Sequence, residues 1–149
     1  MPFGGRPPHH PVATKRIWIV GLAVLTTSCR GAEASQKSDV ATQRFFAQVT
    51  AKQYQQVYDE TAPEFKSSTS AQLFVGMMQR IDRRLGACQA PVKNANWRVN
   101  ATTNGYFQSQ GYTRSCANGK LDETVTTVVR GGEAKVVGYN ANSPRLMTD

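Results

Sequence analysis

The pattern of apolar residues changes at Gly86, and this change constrains the fold more than any other feature of the chain. Beyond Gly86 the apolar spacing becomes that of strands, and β-branched and aromatic residues become frequent. Asn104-Gly105, Asn118-Gly119 and Gly131-Gly132 are dipeptides of the kind found in two-residue hairpin turns. They predict a four-stranded antiparallel meander, with strands at residues 97–102, 106–116, 121–130 and 134–140. Gly111, inside the second strand, predicts a β-bulge that curves the sheet.

Amphipathic helices precede the predicted sheet. Ser38 is a favourable N-cap for the first helix, because apolar residues recur at helical spacing after it. A second segment, residues 54–61, repeats the pattern until Pro63 stops it, and Ser70 caps a third helix. Three helices followed by an antiparallel meander predict an α+β fold with the helices on one face of a curved sheet. We expect one domain over residues 38–149.

The start of the chain has the pattern of a secretory leader. Lys15-Arg16 is followed by an apolar run from Ile17 to Leu25 and then by small residues, which is the order found in signal peptides. The run is short for a membrane span, which needs roughly 20 residues. The sequence therefore predicts a signal peptide over residues 1–28, with a permanent transmembrane helix as the alternative.

The segment Leu25-Thr26-Thr27-Ser28-Cys29 resembles the lipobox of bacterial lipoproteins, although leucine stands one position earlier than usual. This resemblance implies that Cys29 is acylated and that residues 29–37 form the lipidated N-terminus and a polar tether. The protein would then be exported and held on a bacterial membrane facing the periplasm. The alternative is cleavage after Ala32-Glu33-Ala34, which would release a soluble periplasmic or secreted protein.

Cys88 and Cys116 are predicted to form a disulfide, because export would bring them into an oxidising compartment. If Asn104-Gly105 is the two-residue turn, Thr103 faces Tyr106, and the same register places Cys116 opposite Lys93, close to Cys88 in sequence. The bridge would tie the helix-to-sheet connection to the end of a strand and stabilise the fold by about 3 to 4 kcal/mol. A redox-active pair is disfavoured because the C-x-x-C spacing is absent.

The residue types present argue against metal and most catalytic chemistry. His9 and His10 are the two histidines of the chain, and both lie in the predicted leader. We therefore expect no metal site, no cofactor and no catalytic residue. The net charge of +8 has one cluster, Arg80, Arg83 and Arg84, which we interpret as a solvated helix face. A patch for anionic lipid or glycan phosphate is the alternative, and nucleic acid is not an expected partner.

Several segments are similar to a family of small secreted bacterial proteins of unknown function with a nuclear transport factor 2-like fold, also called cystatin-like. They are Phe45-Phe46, Tyr54-Gln55-Gln56-Val57-Tyr58, Leu85-Gly86, Trp97 and the ending Gly138-Tyr139-Asn140-Ala141-Asn142-Ser143. The resemblance implies a cone-shaped domain that is open at one end and often dimeric through the sheet. It carries over no catalytic residues.

A pocket in such a cone would be lined by aromatic and polar side chains, and the favoured role of each candidate taken alone is a half-buried packing residue whose hydroxyl or indole N–H finds a partner. The candidates are Tyr54, Tyr58, Trp97, Tyr112 and Tyr139. We expect an envelope-anchored, non-catalytic binding or scaffolding lipoprotein whose partner is an envelope protein, a lipid or a glycan, with a homodimer through the sheet as one form of assembly. The alternative is a small pocket enzyme of the isomerase or hydrolase type that uses Asp59 and nearby tyrosines.

Overall fold

The computed structural model describes Met1, Gly4, Gly5 and residues 27–147, with side chains in the long segment from Arg30 onward. The predicted leader lies outside the described residues, apart from those three and the start of the first helix. In chain order the elements are α1 (Thr27–Thr50), α2 (Tyr54–Asp59), α3 (Pro63–Ser68), α4 (Ala71–Leu85), β1 (Val92–Thr102), β2 (Gly105–Cys116), β3 (Gly119–Arg130), β4 (Glu133–Asn142) and α5 (Pro144–Met147). The fold is α+β, as predicted. Across the described part of the chain, no helix is both long and apolar enough to cross a membrane.

The strands form one antiparallel sheet in the order β1-β2-β3-β4, which confirms the predicted four-stranded meander. Each connection is a two-residue turn, but the second is Ala117-Asn118 and not the predicted Asn118-Gly119, because Cys116 pairs with Gly119. The last is Gly131-Gly132, with φ angles of 55° and 83°, as a type I′ turn requires. In the first connection Thr102 pairs with Gly105, so the turn is Thr103-Asn104 and the predicted pairing of Thr103 with Tyr106 is wrong.

Close packing at Gly105 explains this change of register. A Cβ there would approach Val128 Cγ2 at 2.9 Å and the carbonyl oxygen of Val129 at 3.0 Å. Gly105 therefore belongs to the paired strand, where its lack of a side chain is needed. The Asn104 backbone N–H donates to Thr102 Oγ1 at 3.1 Å, which holds Asn104 within the turn.

The two cysteines lie directly opposite each other, outside the regular pairing of β1 with β2. Cys88 forms an isolated antiparallel bridge with Cys116, and the two are joined by a disulfide. The predicted pairing of Cys116 with Lys93 is wrong, because Lys93 pairs with Tyr112. With 28 residues separating the cysteines, loop closure is expected to stabilise the fold by about 3 to 4 kcal/mol.

The hydrophobic core lies between the helices and the side of β2, β3 and β4 that faces them. Ser70 caps α4 as predicted, its hydroxyl accepting from the Leu73 N–H at 3.3 Å. The apolar stripe of α4 then faces the sheet until Gly86, at φ 69°, ends the helix. The core includes Phe45, Phe46, Val49, Val57, Phe65, Phe74, Met78, Ile81, Leu85, Tyr112, Leu121, Val125 and Val136.

The first helix begins earlier than predicted. Residues 30–37, expected to be a polar tether, continue α1, and Ser38 is buried inside this helix instead of capping it. An ion pair of 2.8 Å between Glu33 and Lys37 lies along the helix, and Ser35 Oγ donates to Gln108 Oε1 of β2 at 2.8 Å. These contacts hold the segment in a helix against the sheet.

Within residues 27–147 four helices precede the sheet, not the three predicted. The additional helix, α3, begins at Pro63, which ends the previous helical pattern and also occupies the first turn of the next helix. The Ala62 N–H before it donates to the carbonyl oxygen of Val136 on β4 at 2.8 Å, so this helix is fixed to the edge of the sheet.

The bulge predicted on β2 is on β1 instead. The register shifts between Lys93 and Trp97, and Gly111 of β2 lies opposite this irregular segment. A Cβ at Gly111 would lie 2.8 Å from Asn96 Cβ and would also collide with Asn94 Oδ1. Gly111 therefore accommodates the bulge of its neighbour.

Replacing Gly111 by Ala should lower the free energy of unfolding by about 1 to 3 kcal/mol, because the added methyl overpacks the bulge. The matched control is Gly76→Ala in α4, where a Cβ would have no neighbour within 4 Å. That variant should gain about 1 kcal/mol from helix propensity. Urea denaturation measures both changes, and an equal or larger loss in Gly76→Ala would contradict the packing argument.

Candidate functional site

A buried ion pair lies between the sheet and the helices. Arg114 of β2 donates from Nε and Nη2 to the two carboxylate oxygens of Glu123 on β3, at 2.6 and 2.8 Å. Tyr139 of β4 adds a third hydrogen bond, its hydroxyl donating to Glu123 Oε1 at 2.6 Å. Three adjacent strands thus contribute one side chain each. Both side chains are buried, and two parallel hydrogen bonds join them. Each charge therefore compensates the desolvation of the other.

Aromatic rings surround this ion pair. The guanidinium of Arg114 lies 5.5 Å from the ring centre of Phe46, and the Tyr139 ring packs against Phe45 and Phe74. Burial, together with the neighbouring Glu123 carboxylate, raises the pKa of Tyr139 well above its usual value. The hydroxyl therefore keeps its proton and remains the donor.

A second buried tyrosine lies on the same side of the sheet. Tyr112 packs edge-on against Phe46, with ring centres 4.9 Å apart. Burial and the nearby Asp39 raise its pKa to about 12, while a hydrogen bond with Thr42 opposes the rise. Like Tyr139, it is a packing residue with a protonated hydroxyl.

The five predicted pocket residues do not come together in one pocket. Tyr112 and Tyr139 lie in the core, while Tyr58 donates to a backbone carbonyl 2.9 Å away and packs against aromatic neighbours. Tyr54 borders a small cavity, and Trp97 is 55% exposed on β1. The sequence pattern did not separate packing positions from open ones.

The small cavity, here called the Arg114 cavity, has a volume of about 220 Å³ and lies at the end of α1. Its lining includes Arg114, Tyr54, Asp82 and Lys52, whose φ of 58° places it in the left-handed conformation that ends the helix. Lys52 Nζ donates to Asp82 Oδ2 at 2.7 Å. The volume is below the usual range for a small-molecule site, and its charged groups are already paired, Lys52 with Asp82 and Arg114 with Glu123.

A larger concavity, the α1 groove, runs between α1 and the start of β4 and has a volume of about 790 Å³. Apolar side chains lie along it, and one of them, Val40, is 64% exposed. The charged lining residues are of both signs: Lys37, Arg44 and Lys135 against Glu33, Asp59, Glu60 and Glu133. Several pair across or along the groove, including Arg44 with Glu60 at 3.0 Å.

Asp59, the candidate base of the enzyme hypothesis, lies on the rim of this groove. It is exposed, and its Oδ1 accepts from Gln55 Nε2 at 2.9 Å. The hydroxyl of its neighbour Tyr58 is directed to the carbonyl oxygen of Thr69 instead. The structure therefore does not join Asp59 to a tyrosine hydroxyl.

The remaining predicted positions add no ligand set within the described residues. Arg80 donates from Nη2 to the carbonyl oxygen of Leu146 at 2.9 Å and so contacts α5. Cys29 lies near the start of α1, where only the backbone is described. No group of three or more metal-ligating side chains converges in the part of the chain that the structure describes.

Sequence reasoning missed the Arg114–Glu123 pair. A signal for it exists, because Glu123 lies between Leu121 and Val125 at alternate, inward-facing positions of β3, and Arg114 follows Tyr112 in the same way on β2. A charge of each sign on the buried faces of neighbouring strands indicates a buried pair.

No protein-family model matches this chain, and a search of curated proteins finds no match to it.

Replacing Glu123 by Gln removes the charge that compensates Arg114, so the free energy of unfolding should fall by about 3 to 5 kcal/mol. The double variant Arg114→Met with Glu123→Leu should recover most of this loss, because it leaves no unpaired charge in the core. Urea denaturation of the wild type and both variants measures the difference. A double variant less stable than Glu123→Gln would show that the unpaired charge is not the cause.

Proposed function

We propose that this protein is an envelope-anchored, non-catalytic binding module that receives a partner protein in the α1 groove. The observation that carries the proposal is the composition of the groove, which combines the exposed apolar side chain of Val40 with charged side chains of both signs. An apolar centre with a polar rim is the usual composition of a protein interface.

The charge balance of the groove favours a protein partner over a lipid surface. Anionic lipid or glycan phosphate would need an excess of basic side chains. The groove has three basic and four acidic residues, so it offers no such excess. The one aromatic residue in its lining, Phe45, is buried in the core and provides no exposed ring for stacking on a sugar.

The hydrogen bonds that already occupy the buried Glu123 carboxylate support a non-catalytic role. A general base needs a carboxylate or imidazole that is free to take a proton from a bound substrate. Glu123 accepts three hydrogen bonds from two neighbours, and Asp59 lies exposed without a tyrosine hydroxyl beside it. Asp59→Asn is therefore expected to leave any measured turnover unchanged, and a loss of turnover in this variant would contradict the non-catalytic role.

The nuclear transport factor 2-like, or cystatin-like, identity is part of the same proposal. Helices packed on one face of the antiparallel sheet and two interruptions of its register, one in the β1–β2 pair and one in the β3–β4 pair, are compatible with a curved sheet that partly encloses them. The aromatic side chains and the Arg114–Glu123 pair fill the interior. In this form of the fold, binding would use an outer groove instead of an internal pocket.

Anchoring at Cys29 can be tested by the intact mass of protein extracted from bacterial membranes. We expect a chain that begins at Cys29 and carries the added mass of acyl groups, while Cys29→Ser should remain unprocessed and lack that mass. A soluble product that begins at Ser35 would contradict the anchor and support the alternative cleavage.

The groove can be tested with two matched substitutions on exposed helix positions, Val40→Glu inside it and Leu73→Glu on α4 outside it. The two side chains are 64% and 68% exposed, so neither change should affect folding. In affinity capture from the envelope of the bacterium that makes the protein, Val40→Glu should lower recovery of the specific partner by at least about tenfold, equivalent to about 1.4 kcal/mol. Equal recovery with both variants would refute the groove as the binding site.

A further inference from the structure

The outer edge of the sheet at β1 is open. β1 pairs with β2 alone, and nothing in the described ranges of the chain pairs with its other side. All residues of the strand except Asn94 are exposed. Unpaired strand edges are normally protected by charge, proline or a covering element, because they can pair with another chain. The regular part of β1, residues 97–102, contains no proline and one charge, Arg98.

Apolar side chains line this open edge on the side that faces the helices. Trp97 and Val99 pair with Gln110 and Gln108 and so share their face of the sheet. α1 reaches that face at Asp39, which accepts from Gln108 Nε2 at 3.2 Å, but Trp97 and Val99 lie beyond it. Trp97 is 55% exposed and Val99 is 36% exposed.

The hairpin turn determines which backbone groups of β1 point away from β2. In a two-residue hairpin, the residues on each side of the turn exchange both backbone hydrogen bonds, so Thr102 is bonded to Gly105. The register is regular back to Trp97, and bonding residues alternate along it. Arg98 and Asn100 therefore bond to β2, while the N–H and C=O groups of Trp97, Val99 and Ala101 are directed to the open side.

We propose that a second copy of this chain occupies the edge, with the two β1 strands antiparallel and centred on Val99. Val99 would pair with Val99 of the second copy, and Trp97 with Ala101 of the second copy. The residues with outward backbone groups then meet as hydrogen-bonded pairs, which is what an antiparallel ladder requires. The two sheets become one continuous sheet of eight strands.

The sequence of β1 is self-complementary in this register. A two-fold axis through the Val99 pair keeps both helix layers on the same side, so Trp97, Val99 and Ala101 of the two copies form one apolar cluster. On the opposite side Arg98 meets Asn100 of the second copy. Centring the axis on Arg98 would place the two arginines directly opposite each other, which is destabilising. Charge repulsion therefore favours the register centred on Val99 over the one centred on Arg98.

This interface is separate from the proposed binding groove. β1 and β4 are the opposite edges of the sheet, and the α1 groove lies beside β4. A dimer through β1 leaves the groove open in both copies. Loss of dimerisation and loss of partner capture are consequently distinguishable, since the first should follow substitutions at Val99 and the second substitutions at Val40.

Sedimentation equilibrium on the full chain should show a monomer–dimer equilibrium that depends on protein concentration. Val99→Lys should raise the dimer dissociation constant by at least about tenfold, because it places two ammonium groups opposite each other. Val92→Lys is the control, since Val92 is 67% exposed and lies outside the paired segment. A monomer at all concentrations, or equal weakening by both variants, would overturn the proposal.

A crosslinking experiment tests the register itself and does not depend on weakening the dimer. Val99→Cys, in a full chain that also carries Cys29→Ser, should form an intermolecular disulfide under mild oxidation, because hydrogen-bonded antiparallel pairs have Cα atoms roughly 5.5 Å apart. Val92→Cys should not crosslink. Crosslinking at position 92 but not at 99 would refute the register. A monomer whose β1 amides resist hydrogen exchange would overturn the dimer and assign the edge to the chain's own N-terminal residues.

Discussion

The structure depends on a buried ion pair that a one-residue slip of the strand register would break. Arg114 and Glu123 face the helices from adjacent strands, and a shift of β3 by one residue would turn Glu123 to the outer side of the sheet. Arg114 would then be an unpaired charge among aromatic rings, which costs far more than a misplaced apolar residue. The pair thus specifies how β2 and β3 meet, and the Tyr139 hydroxyl extends this constraint to β4.

Local patterns in the sequence were sufficient to predict the elements that depend on near neighbours. The cap at Ser70, the turn at Gly131-Gly132 and the four strands follow from residue preferences over a few positions. The start of α1 cannot be predicted from local preferences, because its small polar residues suit either a tether or a helix. The contact between Ser35 and Gln108, distant in sequence, holds that segment against the sheet. The first hairpin register was wrong for the same reason, since it depends on how Gly105 packs against β3.

The candidate site was less predictable than the fold, because a tyrosine in the core and a tyrosine in a pocket have the same pattern in sequence. Tyr54 lies in the core and Tyr139 packs against it, and only the structure shows that Tyr54 also borders a cavity. Trp97 is a predicted pocket residue, and it is exposed because Asp39 of α1 contacts Gln108 of β2 and Lys93 of β1 while α1 leaves Trp97 uncovered. The residues that form the groove have no distinctive motif.

If Cys29 is acylated as proposed, the helical state of the segment before Ser38 would affect how the protein moves on a membrane. From Cys29 to Ser35 the helix advances about 9 Å, so an acyl group at Cys29 would lie one short, stiff segment from the sheet. Such a link would restrict tumbling and hold every molecule at a similar height and orientation above the bilayer. Encounters between molecules would then occur by lateral diffusion in two dimensions, which raises their effective concentration and favours pairing of sheet edges that is weak in solution.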